Sequence, residues 1–107
     1  MTDLTGVANS VIDTLKSTKE YKEYSELLER LKQDPALFAR VNEFREKNFT
    51  LQQSDSEDLL DLMDALTNEY EDVINIEMVT DFIKAEAEFC RLVQNFTSFV
   101  TNGLEFD

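Results

Sequence analysis

Histidine and tryptophan are absent from this chain, and glycine, proline and cysteine occur only two, one and one times in 107 residues. Without histidine the chain lacks the side chain that most often moves protons near neutral pH, and the commonest ligand of transition metals. Two glycines, Gly6 and Gly103, cannot build a glycine-rich phosphate cradle or a dinucleotide fingerprint. The single Cys90 cannot form an internal disulfide, which agrees with a reducing compartment. No apolar run approaches the ~20 residues that a bilayer crossing requires. The start, Met1 to Gly6, has neither the basic residues nor the apolar stretch of a secretory signal, so a cytoplasmic location is expected. Asn48-Phe49-Thr50 and Asn95-Phe96-Thr97 match the glycosylation pattern and are, in that setting, chance matches.

What is present points to a helical globular chain. Apolar residues make up 42% of the sequence and are spread along it, and the length suits one domain, residues 1–107, with a real core. Asp34-Pro35 is the sharpest punctuation: aspartate caps a helix, proline is tolerated in the first turn, and the residue before proline leaves helical geometry. Ser17 with Glu20 has capping-box spacing, with Thr18 as the alternative cap; Ser56 with Glu57 and Asp58 marks a further start, and Gly103 a stop.

Between these marks apolar residues recur at three and four. The spacing predicts about five helices: residues 3–16 (Leu4, Val7, Ala8, Val11, Ile12, Leu15), 19–32 (Tyr21, Tyr24, Leu27, Leu28, Leu31), and one from Pro35 through Leu51 (Leu37, Phe38, Val41, Phe44). A fourth covers 57–72 (Leu59, Leu62, Met63, Leu66, Tyr70), and a long last helix 77–102 (Val79, Phe82, Ile83, Phe89, Leu92, Val93, Phe96, Val100). Ile74 to Met78 alternates as a strand does. It is read as a helix junction, because a lone strand would leave its backbone groups without partners. The expected fold is all-α, a helical bundle with a long C-terminal helix.

Charge is uneven. Residues 1–53 hold 9 acids and 8 bases, residues 54–90 hold 12 acids and only Lys84, and residues 91–107 hold 2 acids and Arg91, giving nets of −1, −11 and −1 within the total of −13. The acidic middle repels nucleic acid and anionic lipid, which argues against direct nucleic-acid binding and membrane insertion and leaves a protein partner. Asp55, Glu57, Asp58, Asp61 and Asp64 do not have the spacing of a calcium loop and lack its central glycine, so they are read as a solvated, partner-facing acidic surface. Glu86 interrupts the apolar stripe of the last helix, either as a buried polar contact or at the stripe's rim. Cys90 reads as a buried structural thiol, and Tyr21 and Tyr24 as core residues with wet hydroxyls. No catalytic residue, metal site or cofactor is indicated.

From Phe89 to Leu104 the only charge is Arg91, and five of the eight phenylalanines, Phe82, Phe89, Phe96, Phe99 and Phe106, lie in the last 26 residues. A helix so apolar on two faces is more than four short helices can cover. A homo-oligomer, in the first instance a dimer, is therefore expected, with Phe89, Phe96, Phe99 and Val100 at or near the shared surface.

Several of these signals fall in a familiar order: Leu15-Lys16-Ser17-Thr18-Lys19-Glu20-Tyr21 with Tyr24, then Leu31-Lys32-Gln33-Asp34-Pro35, then Val41-Asn42-Glu43-Phe44, and later Val79, Phe82 and Ala85-Glu86. In this the chain resembles the YlbF/YmcA family of bacterial regulators, the control of competence regulators. The resemblance implies a helical fold that forms dimers or larger assemblies, without known enzymatic activity. It also implies family members or a ribonuclease complex as partners, with roles in competence, biofilm formation, sporulation and messenger RNA processing. Some relatives carry iron-sulfur clusters on several cysteines. This chain has only Cys90, so no cluster is carried over unless an oligomer or partner supplies the other ligands. The expected function is thus a non-enzymatic regulatory adaptor; the competing reading is an acidic inhibitor that imitates nucleic acid on a basic protein.

Overall fold

The computed structural model describes residues 3–104, so Phe106 lies outside the described part. Among these residues there are six helices and no strand: α1 Leu4–Lys16, α2 Lys19–Lys32, α3 Pro35–Gln52, α4 Leu59–Glu69, α5 Glu71–Ile74 and α6 Glu77–Gly103. The all-helical expectation and the long last helix are met. At ~1.5 Å per residue, the 27 residues of α6 extend about 40 Å.

The helix ends follow local chemistry. The Asp3 carboxylate accepts from the Thr5 N–H at 3.0 Å to start α1, and Asp34 accepts from the Leu37 N–H at 3.2 Å ahead of Pro35 to start α3. Of the two caps considered for α2, Thr18 is the one used, its hydroxyl accepting from the Tyr21 N–H at 3.2 Å. The 74–78 stretch is a junction, with α5 ending at Ile74 and α6 beginning at Glu77. Two details depart from expectation. The fourth helix begins at Leu59, because Ser56 spends its hydroxyl on the Asp58 N–H and Asp58 makes no side-chain cap. It also ends at Glu69, since Tyr70 leaves helical geometry at φ −109° and ψ 18°, so a separate short α5 follows and the helices number six rather than five.

The chain divides into two compact units. One comprises residues 28–81, where α3 packs on α4 and α5. Leu31, Val41, Leu66, Tyr70, Val73 and Val79 are its buried side chains. Tyr70 leaves the helix because its ring is drawn inside: it meets Phe44 edge-on at 5.7 Å, and Arg40 and Lys47, two turns apart on α3, lie 4.4 and 5.1 Å from its centroid. The charged ends continue outward, Arg40 to Asp72 at 3.2 Å and to Glu43 at 3.4 Å, and Lys47 to Glu69 at 3.2 Å. These pairs are exposed and screened by solvent, so the buried ring supplies most of the stabilisation.

The other unit comprises residues 1–27 and 82–107. Its centre is aromatic. Tyr24 stacks on Phe82 at 5.6 Å and on Phe89 at 5.8 Å, and Tyr21 meets Phe89 edge-on at 5.3 Å, joining the first turns of α2 to α6. Phe82 and Ala85 are buried, while Tyr21, Tyr24 and Phe89 are half-buried. Both tyrosines thus have the amphipathic role expected of them.

Candidate functional site

In the aromatic unit, two helical faces that the apolar pattern marks as core are open. The α1 helix has no buried residue: Val11 and Leu15 are half-buried, and Leu4, Val7 and Ile12 are exposed, Leu4 by 78%. On α6, burial stops abruptly after Val93. Every residue from Gln94 to Val100 is exposed, including Phe96 at 40%, Phe99 at 78% and Val100 at 43%. Phe96, Phe99 and Val100 stand at spacings of three and four, so they share one side of the helix and continue the stripe that Phe82 and Phe89 begin. Phe89 is placed differently from the other three interface candidates, packed among the tyrosines of its own unit.

The tail carries almost no charge, and two of its hydroxyls are occupied locally. Thr97 and Thr101 donate back to the Val93 and Thr97 carbonyls at 3.0 and 2.9 Å, the usual way for such hydroxyls to satisfy themselves on a helix. Phe96, Phe99 and Val100 stand exposed among the uncharged polar side chains Gln94, Asn95, Ser98 and Asn102. Soluble monomers seldom leave a contiguous apolar patch of this kind uncovered.

The five acidic candidates are all exposed. Asp55, Glu57 and Asp58 lie in the segment before α4, and Asp61 and Asp64 on the helix itself. Among the described residues none of the five takes part in an ion pair, and no three histidine, cysteine or carboxylate side chains converge as metal ligands. They form an acidic edge, held in place by the packing of α4 on α3.

That packing also sets the electrostatics of the site. Lys47 is held above its ordinary proton affinity by Tyr70 first and then by the hydrogen bond and charge of Glu69. For Arg40, desolvation pulls the other way, but Asp72, with Tyr70 and Glu43, outweighs it and raises the guanidinium further. Both cations therefore stay charged and committed to contacts within the unit, Lys47 to Glu69 on α4 and Arg40 to Glu43 and Asp72, and neither pairs with Asp61 or Asp64. This clasp was not evident from sequence, because its partners lie 22 to 32 residues apart; the visible signal is the placing of Arg40, Glu43 and Lys47 at three and four on α3. One further reading changes, and one of two alternatives is favoured by burial. Cys90 is exposed on α6 and is not a buried thiol, because it faces away from the aromatic stripe. Glu86 is half-buried.

Among the described residues no helix is long and apolar enough to cross a membrane. No curated protein and no solved structure matches the chain significantly. One family model does, described as control of competence regulator ComK, YlbF/YmcA, over residues 6–105. This match runs through all six helices and includes both the open apolar faces and the acidic edge. The chain is therefore a member of the YlbF/YmcA family, a family of regulators.

Proposed function

We propose that the chain is a non-enzymatic regulatory adaptor that pairs with a second copy of itself through the open apolar face of the aromatic unit and offers its acidic edge to another protein. The observation that carries this reading is the uncovered tail of α6, where Phe96, Phe99 and Val100 stand in solvent; α1 of the same unit likewise buries no residue. A second copy fits because two chains at −13 repel, and they meet at least cost where charge is lowest, along residues 91–104. Phe89, beneath the same stripe, supports the contact from within. The partners of the acidic edge are other family members or components of a ribonuclease complex, as the family resemblance implies.

Light scattering tests the pairing. The native chain should have twice the 12.4 kDa mass of one copy. Phe99→Asp should return it to one copy: a twofold contact loses two rings, each worth about 1.5–3 kcal/mol when buried, so dissociation rises about a hundredfold or more. A native mass of 12.4 kDa at high concentration would end the idea. The competing reading, an imitator of nucleic acid, draws on the net −11 of residues 54–90. Displacement of RNA or DNA from a basic protein that co-purifies with the chain supports imitation, whereas an adaptor leaves it bound.

A further inference from the structure

Between α3 and α4 the 28–81 unit leaves an open groove of about 550 Å³. Leu51, Leu62, Ala65 and Leu66 form its floor and walls, with Glu46 and Glu69 along its edges. Leu62 is 44% exposed although the apolar pattern of α4 assigns it to the core. Asp58 stands four residues before Leu62 and Asp61 four before Ala65, so both lie one turn along from groove-lining positions and extend the acidic rim; both are exposed. The cation of this rim, Lys47, is tied to Glu69 at 3.2 Å and sits over the Tyr70 ring, so it offsets little of the negative charge beyond its own partner.

An apolar trough between two packed helices, edged by carboxylates, is complementary to one kind of ligand. We infer that this groove receives a basic amphipathic helix of another protein, its leucine-like side chains against Leu51, Leu62 and Leu66 and its lysines or arginines facing Glu46, Asp58 and Asp61. This rests on the adaptor reading and specifies the partner of its acidic edge. A groove between helices presents holes at helical spacing, which an amphipathic helix fills with residues at three, four and seven. Nucleic acid is repelled by the rim. A second copy of this chain is a poor occupant, because each copy carries a net charge of −13 and would bring further negative charge to the rim.

The test uses the full-length chain and two fluorescein-labelled helical peptides of about four turns. One is built of leucine and lysine in amphipathic order, the other has glutamate for every lysine, and binding is read by anisotropy at about 0.15 M salt. The leucine-lysine peptide should bind saturably, one per chain, and the leucine-glutamate peptide should not. Ala65→Trp fills the exposed groove wall without altering charge and should weaken binding at least about tenfold. Leu62→Gln, also neutral, should act in the same direction, and helical circular dichroism identifies which variants are folded. Equal binding of both peptides, or undiminished binding by folded Ala65→Trp and Leu62→Gln, would overturn the inference, since apolar contact or net charge alone would then hold the peptide. Phe99→Asp should bind the peptide as the native chain does. If instead the groove variants lose self-association, the groove is a contact between copies and this inference falls while the pairing stands. A native mass of one copy would remove the pairing without touching the groove.

Discussion

Tyr70 is the residue on which the 28–81 unit is organised, and its truncation separates what the ring contributes from what the hydroxyl contributes. The side chain is 1% exposed, its ring lies against Phe44, and Arg40 stands 4.4 Å over it. Tyr70→Ala removes a buried ring and leaves a cavity between α3 and α4, at a cost of about 3–5 kcal/mol by analogy with other buried aromatics. Against a total stability of roughly 5–15 kcal/mol this is a large fraction. For a chain of this size it lowers the melting temperature by roughly 15–30 °C. Tyr70→Phe keeps the ring, the Phe44 contact and the ring faces beneath both cations. It loses the hydroxyl, which donates to Glu43 over a long 3.4 Å and is a hydrogen-bond partner of Lys47, so it should cost no more than about 1 kcal/mol. Urea unfolding at one fixed protein concentration, followed by circular dichroism, measures both, and the fixed concentration holds any contribution from self-association to the same condition for each variant. If Tyr70→Phe proves as damaging as Tyr70→Ala, the hydroxyl and not the ring organises the unit. If Tyr70→Ala costs less than about 1.5 kcal/mol, the ring is not central at all.

Two further outcomes follow from the same contacts. Lys47 has a folded-state pKa raised above its ordinary 10.5 by Tyr70 and Glu69, so its stabilising contribution is complete below about pH 10.5 and is lost as pH rises through the higher folded value; the stability difference between the native chain and Lys47→Met, followed by urea unfolding, should therefore shrink above pH 10.5, and a difference that grows there would refute the assignment. Asp34→Ala removes the acceptor of the Leu37 N–H at the start of α3 and should cost about 1 kcal/mol, whereas Asp34→Asn, which keeps a capping oxygen, should cost less than half of that in the same assay.

Much of this architecture is readable in one dimension because helix formation and helix ends are local. Asp34-Pro35 and Thr18 punctuate the chain through contacts within three residues. The junction at 74–77 has a local cause as well: the Thr80 hydroxyl donates to the Ile74 carbonyl at 2.7 Å across the break. The acidic run and the uncharged tail were legible for the same reason, since charge belongs to the residue and not to its neighbours. The late start of α4 is local too, set by Ser56 and Asp58, whereas the other departures come from how the helices pack. Tyr70 obeys the helical spacing of α4 yet breaks the helix, because α3 offers its ring Phe44, Arg40 and Lys47 from more than twenty residues away. Cys90 looks like a core thiol by residue type, but the rotation of α6 that buries Phe82 and Ala85 turns it outward.

The sequence by itself determined the helices, their caps and the uneven charge, because backbone hydrogen bonding and side-chain chemistry act over a turn or two. Which apolar faces would find cover was decided only by the tertiary structure. Leu4 and Leu31 are the same residue type on comparable amphipathic helices, yet one is 78% exposed and the other fully buried. Burial requires a second surface to close on the first, and residues 28–81 supply one for Leu31 while nothing in the aromatic unit closes over Leu4, Phe96 or Phe99.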